Sequence, residues 1–144
     1  MGKSRRIVFQ RVNYSDLDAK QKEIFNFQRA SGVLAQFGFA TYRLSDDWNG
    51  ADFLAVHFDG ETFLRVQLKS RVSFAKKYLG KDIWICFPSG DAVYLYPHDA
   101  MLDVAKGKTK ICDSDSWKDR GGYTATGLPK GLQEEMEKYR LSIS

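Results

Sequence analysis

Asp52, Gln67 and Lys69 are the residues whose types and spacing suit chemistry. The stretches 51–58 and 62–69 are rich in strand-forming residues and meet at Asp59-Gly60, a hairpin signal between hydrophobic runs. A two-residue loop there sets Val56 opposite Phe63, Leu54 opposite Arg65 and Asp52 opposite Gln67, with Cβ atoms roughly 4.5–5.5 Å apart. Lys69 then projects from the same face, one step along. A four-residue loop, Asp59 to Thr62, sets Asp52 opposite Lys69 on that same face. A three-residue loop flips one strand and breaks the cluster. A carboxylate and a carboxamide beside an ammonium suit a hard cation. Asp52 can bind Mg²⁺ directly, the Gln67 amide oxygen can add a neutral ligand, and the Leu68 backbone carbonyl is near. Mg²⁺ keeps several waters, one of which can become a nucleophile, and Lys69 would hold that water or offset charge on a phosphate. The plain alternative is a surface Asp–Lys pair with a hydrogen-bonded Gln, worth about 0–1 kcal/mol.

The elements that must position this cluster are legible in outline. Ser15 or Asp16 can cap a helix running to about Phe37, with Gly38 as its terminator. Positions 23, 27, 30 and 34 form one helical stripe of Glu23, Phe27, Ala30 and Leu34. A carboxylate ending an apolar stripe needs a cation, a donor or an escape to water. Glu23 therefore either faces the sheet as a site residue, snorkels out at the helix edge, or pairs with a lysine. Strands are expected over 39–44, 51–58, 62–69, 82–87 and 92–96, with 46–50 as a turn-rich connection. The run Ile83 to Phe87 has no polar alternation and reads as a strand buried on both faces. A short helix is expected from Asp99 to about Lys106, mostly loop over 107–128, and a helix opened by Pro129 to about Leu141, with Leu132, Met136 and Tyr139 on one face. The order predicts a mixed α/β sandwich.

The chain has 144 residues with 43% hydrophobic and 14% aromatic content, enough for one domain with a core. No apolar run exceeds five residues, so a membrane-crossing helix, which needs about 20, is excluded. The first residues show neither the apolar stretch of a signal peptide nor a myristoylation pattern, and Cys86 and Cys112 make no disulfide framework; a reduced cytoplasm is the expectation. The net charge of +4 is localised. Residues 1–11 hold Lys3, Arg5, Arg6 and Arg11 without an acid, leaving 18 bases against 18 acids elsewhere. Residues 62–81 hold Arg65, Lys69, Arg71, Lys76, Lys77 and Lys81, again without an acid. Two basic patches suit a polyanion such as nucleic acid, or else they are a solvated tail and loop.

Gly50-Ala51-Asp52-Phe53 followed by Val66-Gln67-Leu68-Lys69-Ser70-Arg71 resembles the PD-(D/E)XK signature of the restriction-endonuclease-like nuclease superfamily. That superfamily includes restriction enzymes, Holliday-junction resolvases, repair nucleases and some homing endonucleases. The resemblance covers residues 16 to 96 or so. It implies a restriction-endonuclease-like α/β fold, with a mixed central sheet of about five strands flanked by helices. A basic arm, 1–14, would precede a single nuclease-like domain, 15–144. It also implies Mg²⁺- or Mn²⁺-dependent hydrolysis of DNA phosphodiesters. Asp52, Gln67 and Lys69 would match the motif positions, Glu23 the helix carboxylate often found with them, and Asp52, Gln67, Leu68 and Glu23 the metal surroundings. Ala51 stands where Pro is usual. Gln67 replaces the usual acid, as in branches that carry V-Q-x-K, and removes one negative ligand.

Other chemistry finds little support. His57 shares a strand face with Phe53 and Ala55, and His98 precedes a helix, where capping or loop roles are expected. Cys112 lacks partners at metal-ligand spacing, and no phosphate-loop or dinucleotide pattern occurs. Three readings compete: a metal-dependent DNA endonuclease, an inactive nucleic-acid-binding module on the same fold, and a protein-interaction domain binding an acidic partner. In the first, duplex or branched DNA is the partner, Lys3, Arg5, Arg6, Arg11, Arg71, Lys76, Lys77 and Lys81 contact phosphates, and a homodimer or higher homo-oligomer cuts both strands. On either nucleic-acid reading, deleting residues 1–11 is expected to flatten the salt dependence of DNA affinity. The change corresponds to up to about four phosphates, at roughly 0.9 each in the log–log slope. An unchanged slope in a binding titration would remove the arm from the interface.

Overall fold

The computed structural model describes residues 6–143, apart from the side chains of Asp47 and Trp48. Lys3 and Arg5 lie outside the described residues. Residues 6–13 carry no helix or strand and are exposed. Helix α1 spans Ala19–Gln36. Its cap is Asp18 rather than Ser15 or Asp16, because Asp18-x-x-Gln21 closes a capping box. The Gln21 N–H donates to Asp18 Oδ1 at 2.8 Å, and the Asp18 N–H donates to Gln21 Oε1 at 3.0 Å. Two otherwise orphaned donors are thereby satisfied, while Tyr14–Asp16 forms a separate 3₁₀ turn. The helix ends where expected, at Gly38 with φ +86°. A Cβ there would stand 2.7 Å from His57 Nε2, so the position needs glycine for its space as well as its backbone.

A six-stranded mixed sheet follows, in the order β1 (Phe39–Trp48), β2 (Ala51–His57), β3 (Phe63–Leu68), β5 (Ile83–Ser89), β6 (Ala92–Pro97), β8 (Arg140–Ser142). Only β3 and β5 run parallel. The expected connection over 46–50 is shorter, since β1 continues to Trp48 and turns at Asn49-Gly50. Both residues have positive φ, 52° and 88°, the requirement of a type I′ hairpin turn. Between the pairs Arg43↔Phe53 and Trp48↔Ala51 the register slips, so residues 44–47 of β1 stand against Asp52 alone. This is a bulge of several residues in the strand facing the candidate carboxylate.

Helix α1 covers one face of the sheet. Ala30, Val33 and Leu34 pack on Phe53, Ala55, Val66, Cys86, Val93 and Leu95, all fully or nearly fully buried. The other face is covered by α2 (His98–Lys108), α3 (Asp115–Arg120), α4 (Gln133–Glu137) and a ribbon of β4 (Ser73–Ala75) with β7 (Gly122–Thr124). There Ile83, Ile85, Phe87, Tyr94 and Tyr96 meet Met101, Leu102, Trp117, Leu132 and Met136. Strand β5 is thus buried on both faces, as its unbroken apolar run predicts. Burial pushes the Cys86 thiol up to about 12. No helix among the described residues is long and apolar enough to cross a membrane.

Two stretches differ from expectation. Residues 107–128 are not mostly loop. Ser114 Oγ accepts the Trp117 N–H at 3.2 Å to start α3, Gly121 ends it in the left-handed region, and the buried Trp117 docks it on the core. The helix expected from Pro129 to Leu141 is confined to α4. Leu132 and Met136 are buried as the periodicity requires, but after Lys138 the chain extends and β8 pairs with β6. The backbone groups along the open side of β6 are satisfied that way: the Leu95 N–H donates to the Tyr139 carbonyl at 3.0 Å.

His98 opens α2 and is completely buried. Its Nε2 accepts the Ala75 N–H at 3.0 Å, which leaves the proton on Nδ1 to donate to Asp99 Oδ1 at 2.8 Å. Asp99 Oδ2 accepts the Gly80 N–H at 2.9 Å, so this pair ties the segment after β3 to α2. Burial lowers the His98 pKa below its ordinary 6.5, outweighing the pull of Asp99 in the other direction. The unfolded chain therefore takes up a proton that the folded chain refuses. The stability from a neutral His98 should be present above pH 6.5 and fall as the pH drops below it. Urea midpoints at pH 8 and pH 5.5 measure this loss, and His98→Gln should flatten it.

Candidate functional site

The site grows from the β2–β3 hairpin. Asp59 Oδ1 accepts the Glu61 N–H at 2.8 Å and the Thr62 N–H at 2.9 Å, while Oδ2 accepts the Thr62 hydroxyl at 2.9 Å. These bonds hold the Asp59 pKa down at about 2, and His57 adds a smaller electrostatic pull in the same direction. The His57 N–H donates to the Thr62 carbonyl at 2.8 Å and closes the loop over residues 58–61. The ladder runs Val56↔Phe63, Leu54↔Arg65 and Phe53↔Val66, the register expected from the Asp59-Gly60 turn. Continued one step, it sets Asp52 beside Gln67.

Phe53, Val66 and Leu68 lie on the α1 side, so Gln67 projects toward the opposite layer, while Asp52, beyond the last paired residue, borders a cleft that Lys20 and Glu23 of α1 also line. The ladder stops at Phe53↔Val66, and beyond it Asp52 Oδ2 accepts the Leu68 N–H at 2.9 Å. A side chain has replaced a backbone partner at the mouth of the hairpin. In an extended strand a residue's C=O points to the same edge as its N–H, so the Leu68 carbonyl also faces the Asp52 side. The Lys69 N–H points the other way, donating to the Cys86 carbonyl at 2.8 Å, and Lys69 Nζ lies 5.7 Å from the Tyr78 ring centre. Gln67 Oε1 is buried and has no hydrogen-bond partner among the described residues.

The bulge in β1 opens a cleft of about 500 Å³ lined by Lys20, Glu23, Arg43, Leu44, Ser45 and Asp52. Glu23 is exposed, and its carboxylate accepts from the Arg43 guanidinium, with Lys20 Nζ 3.9 Å away. Phe27, Ala30 and Leu34 of the same stripe pack on the sheet, whereas Glu23 meets Asp52 only across this cleft. A second cleft, about 290 Å³, is bordered by Glu23, Asn26, Leu68 and Lys69. Among the described residues, no three His, Cys, Asp or Glu side chains cluster as a metal site. The oxygen donors on hand are one carboxylate, one orphaned amide oxygen and one carbonyl, a hard set that suits Mg²⁺ with its waters and does not suit zinc.

Of the other expected phosphate-binding residues, Lys76 and Lys77 line a groove on the Lys69 side. Arg6, Arg11, Arg71 and Lys81 are exposed. His57 stacks edge-on against Phe39 at 4.9 Å between centroids. Sequence reading missed Arg43 and Asn26. Arg43 shares the α1-facing side of β1 with Phe39 and Thr41, and a base ending that row is the signal. Asn26 is 7% exposed, donates to the Tyr14 hydroxyl at 2.9 Å, and leaves Oδ1 unpartnered among the described residues.

No protein-family model matches the chain, and no curated protein matches it. Among solved structures, it is similar to Hjc, a Holliday junction resolvase of Archaeoglobus fulgidus. The likeness has a TM-score of 0.43 and 14% identity, over 54% of this chain and 74% of that one.

The orphaned amide has an energetic signature. An unsatisfied buried acceptor costs about 1–3 kcal/mol, and an apolar side chain of similar shape does not incur it. Gln67→Met should therefore raise the metal-free stability by about 1 kcal/mol. A higher urea midpoint with an unchanged slope is the expected reading.

Proposed function

We propose that this protein is a divalent-cation-dependent nuclease that hydrolyses DNA phosphodiester bonds at Asp52, Gln67 and Lys69. The observation that carries the reading is the bond from the Leu68 N–H to Asp52 Oδ2, which sets the carboxylate at the open end of the hairpin against the strand of Gln67 and Lys69, where the Gln67 oxygen is buried and unpartnered among the described residues. Asp52, Gln67 Oε1 and the Leu68 carbonyl would hold Mg²⁺ or Mn²⁺, and Glu23 would add negative charge from the far wall of the cleft. The cation, when bound, supplies charge stabilisation at the phosphate and lowers the pKa of a bound water. Asp52 would hold that cation, its carboxylate restrained by the bond from the Leu68 N–H. Lys69 Nζ donates to a phosphate oxygen and offsets the negative charge that grows as the bond breaks. Arg43 holds Glu23 in place and is a positioning residue.

The exposed bases of 6–11 and 71–81 supply the sequence-independent attraction for DNA, duplex or branched. Cutting two strands together calls for a second copy, because one chain carries one such cluster among its described residues. The reading of an inactive binding module draws on the neutral Gln67, which contributes no charge to a cation.

Cleavage of mixed duplex and branched DNA in Mg²⁺ or Mn²⁺, set against EDTA, tests the proposal. Asp52→Asn should lower cleavage by orders of magnitude while DNA binding persists or tightens, since a carboxylate beside a phosphate repels it without metal. Lys69→Ala should abolish cleavage and weaken binding slightly. Gln67→Glu should lower the metal concentration required. Wild-type protein that binds DNA but cuts none of these substrates with either metal overturns the nuclease reading in favour of the binding module.

A further inference from the structure

We propose that the groove between the β4–β7 ribbon and α3 binds a single-stranded stretch of nucleic acid leading away from Lys69. This rests on the nuclease reading and deepens it by naming the form of the strand beyond the cut. The groove measures about 570 Å³, and its walls include Lys69, Lys76, Lys77, Arg120, Tyr123 and Thr124. Among the described residues, no aspartate or glutamate lines it. None of its four bases forms an ion pair among the described residues.

Aromatic rings hold these cations in place without neutralising them. Lys76 Nζ lies 5.5 Å from the Trp117 ring centre, and Lys77 Nζ lies 5.3 Å from that of Tyr78, the ring that Lys69 also overlies. Unneutralised charge in a walled cleft focuses the field on an incoming anion. The walls are fixed in advance. The Lys76 N–H donates to the Gly121 carbonyl at 2.8 Å, the Ser116 hydroxyl donates to the Gly122 carbonyl, and the Ala125 N–H donates to the Val72 carbonyl at 2.9 Å. A strand entering the groove meets backbone walls that are already ordered, which lowers the cost of binding.

Tyr123 separates nucleic acid from other polyanions. Tyr123 is half-buried against the core and lines the groove among the cations, and a cationic track with aromatic platforms is the arrangement that holds single strands by backbone charge and base stacking. An acidic peptide offers no base to the ring. A duplex keeps its bases stacked inside and offers the groove only phosphates.

The test uses the full chain in EDTA, so that binding is read without cleavage. Fluorescence anisotropy follows a labelled single-stranded DNA oligonucleotide and its matched duplex across a salt series, with poly-glutamate as competitor. Arg120→Gln, at an exposed position, should lower the log–log salt slope for the single strand by about 0.7 for each phosphate that the arginine neutralises. Tyr123→Leu should weaken single-strand affinity about fivefold or more and duplex affinity less. An unchanged slope in Arg120→Gln overturns the proposal even if Tyr123→Leu fails to fold. So does poly-glutamate displacing the oligonucleotide as well as unlabelled DNA of equal charge does. A chain that cuts no DNA can still pass this test, and one that cuts DNA can fail it.

Discussion

Side chains alternate across a strand, so a hairpin has two possible arrangements, and one residue of slippage exchanges them. The bonding of Asp59 to the Glu61 and Thr62 backbone and to the Thr62 hydroxyl removes that freedom at the turn. Every later contact assumes its outcome: Phe53 and Val66 inside the α1 layer, Gln67 on the other side of its strand, Ile85 buried under the opposite layer. The Asp59 carboxylate lies at the far end of the hairpin from the cleft and touches no reacting group, yet it decides which residues can meet there. Its low pKa keeps the restraint charged down to about pH 2.

At the other end of the hairpin, regular pairing is given up. The bulge in β1 interrupts the register opposite Asp52, the ladder to β3 ends early, and the Gln67 oxygen is buried with no partner among the described residues. Each departure weakens the sheet locally, and all of them fall at one place. A strand pair built for stability alone would have closed this end with backbone bonds and apolar cover. Clustered local defects surrounded by well-packed layers are the expected mark of a site that must leave room for a ligand.

Much of this was legible in the sequence. The Asp59-Gly60 turn set the register, the run Ile83 to Phe87 declared a doubly covered strand, and Gly38 marked the end of α1. What failed to show has identifiable causes. Residues 107–128 look like loop because their composition is polar and Gly-rich. Their helix depends on one cap, Ser114, and one tertiary anchor, Trp117, neither of which makes a periodic pattern. Tyr139 falls at helical spacing from Leu132 and Met136, yet the open side of β6 draws the chain out straight, a tertiary demand that local spacing does not record. The bulge opposite Asp52 is a mismatch in length between two strands and has no residue of its own to announce it. For the same reason Glu23 could be placed on its stripe while its partner Arg43, twenty residues on in another element, could not.

The two cysteines sit in contrasting surroundings. Cys86 is sealed between α1 and the sheet with its thiol held almost wholly protonated at neutral pH, whereas Cys112 is partly exposed beside α3. Only thiolate reacts with maleimides and other electrophiles, and only where reagent can reach it. Of the two thiols, that of Cys112 is therefore the one a dye or spin label reaches first, with no residue changed.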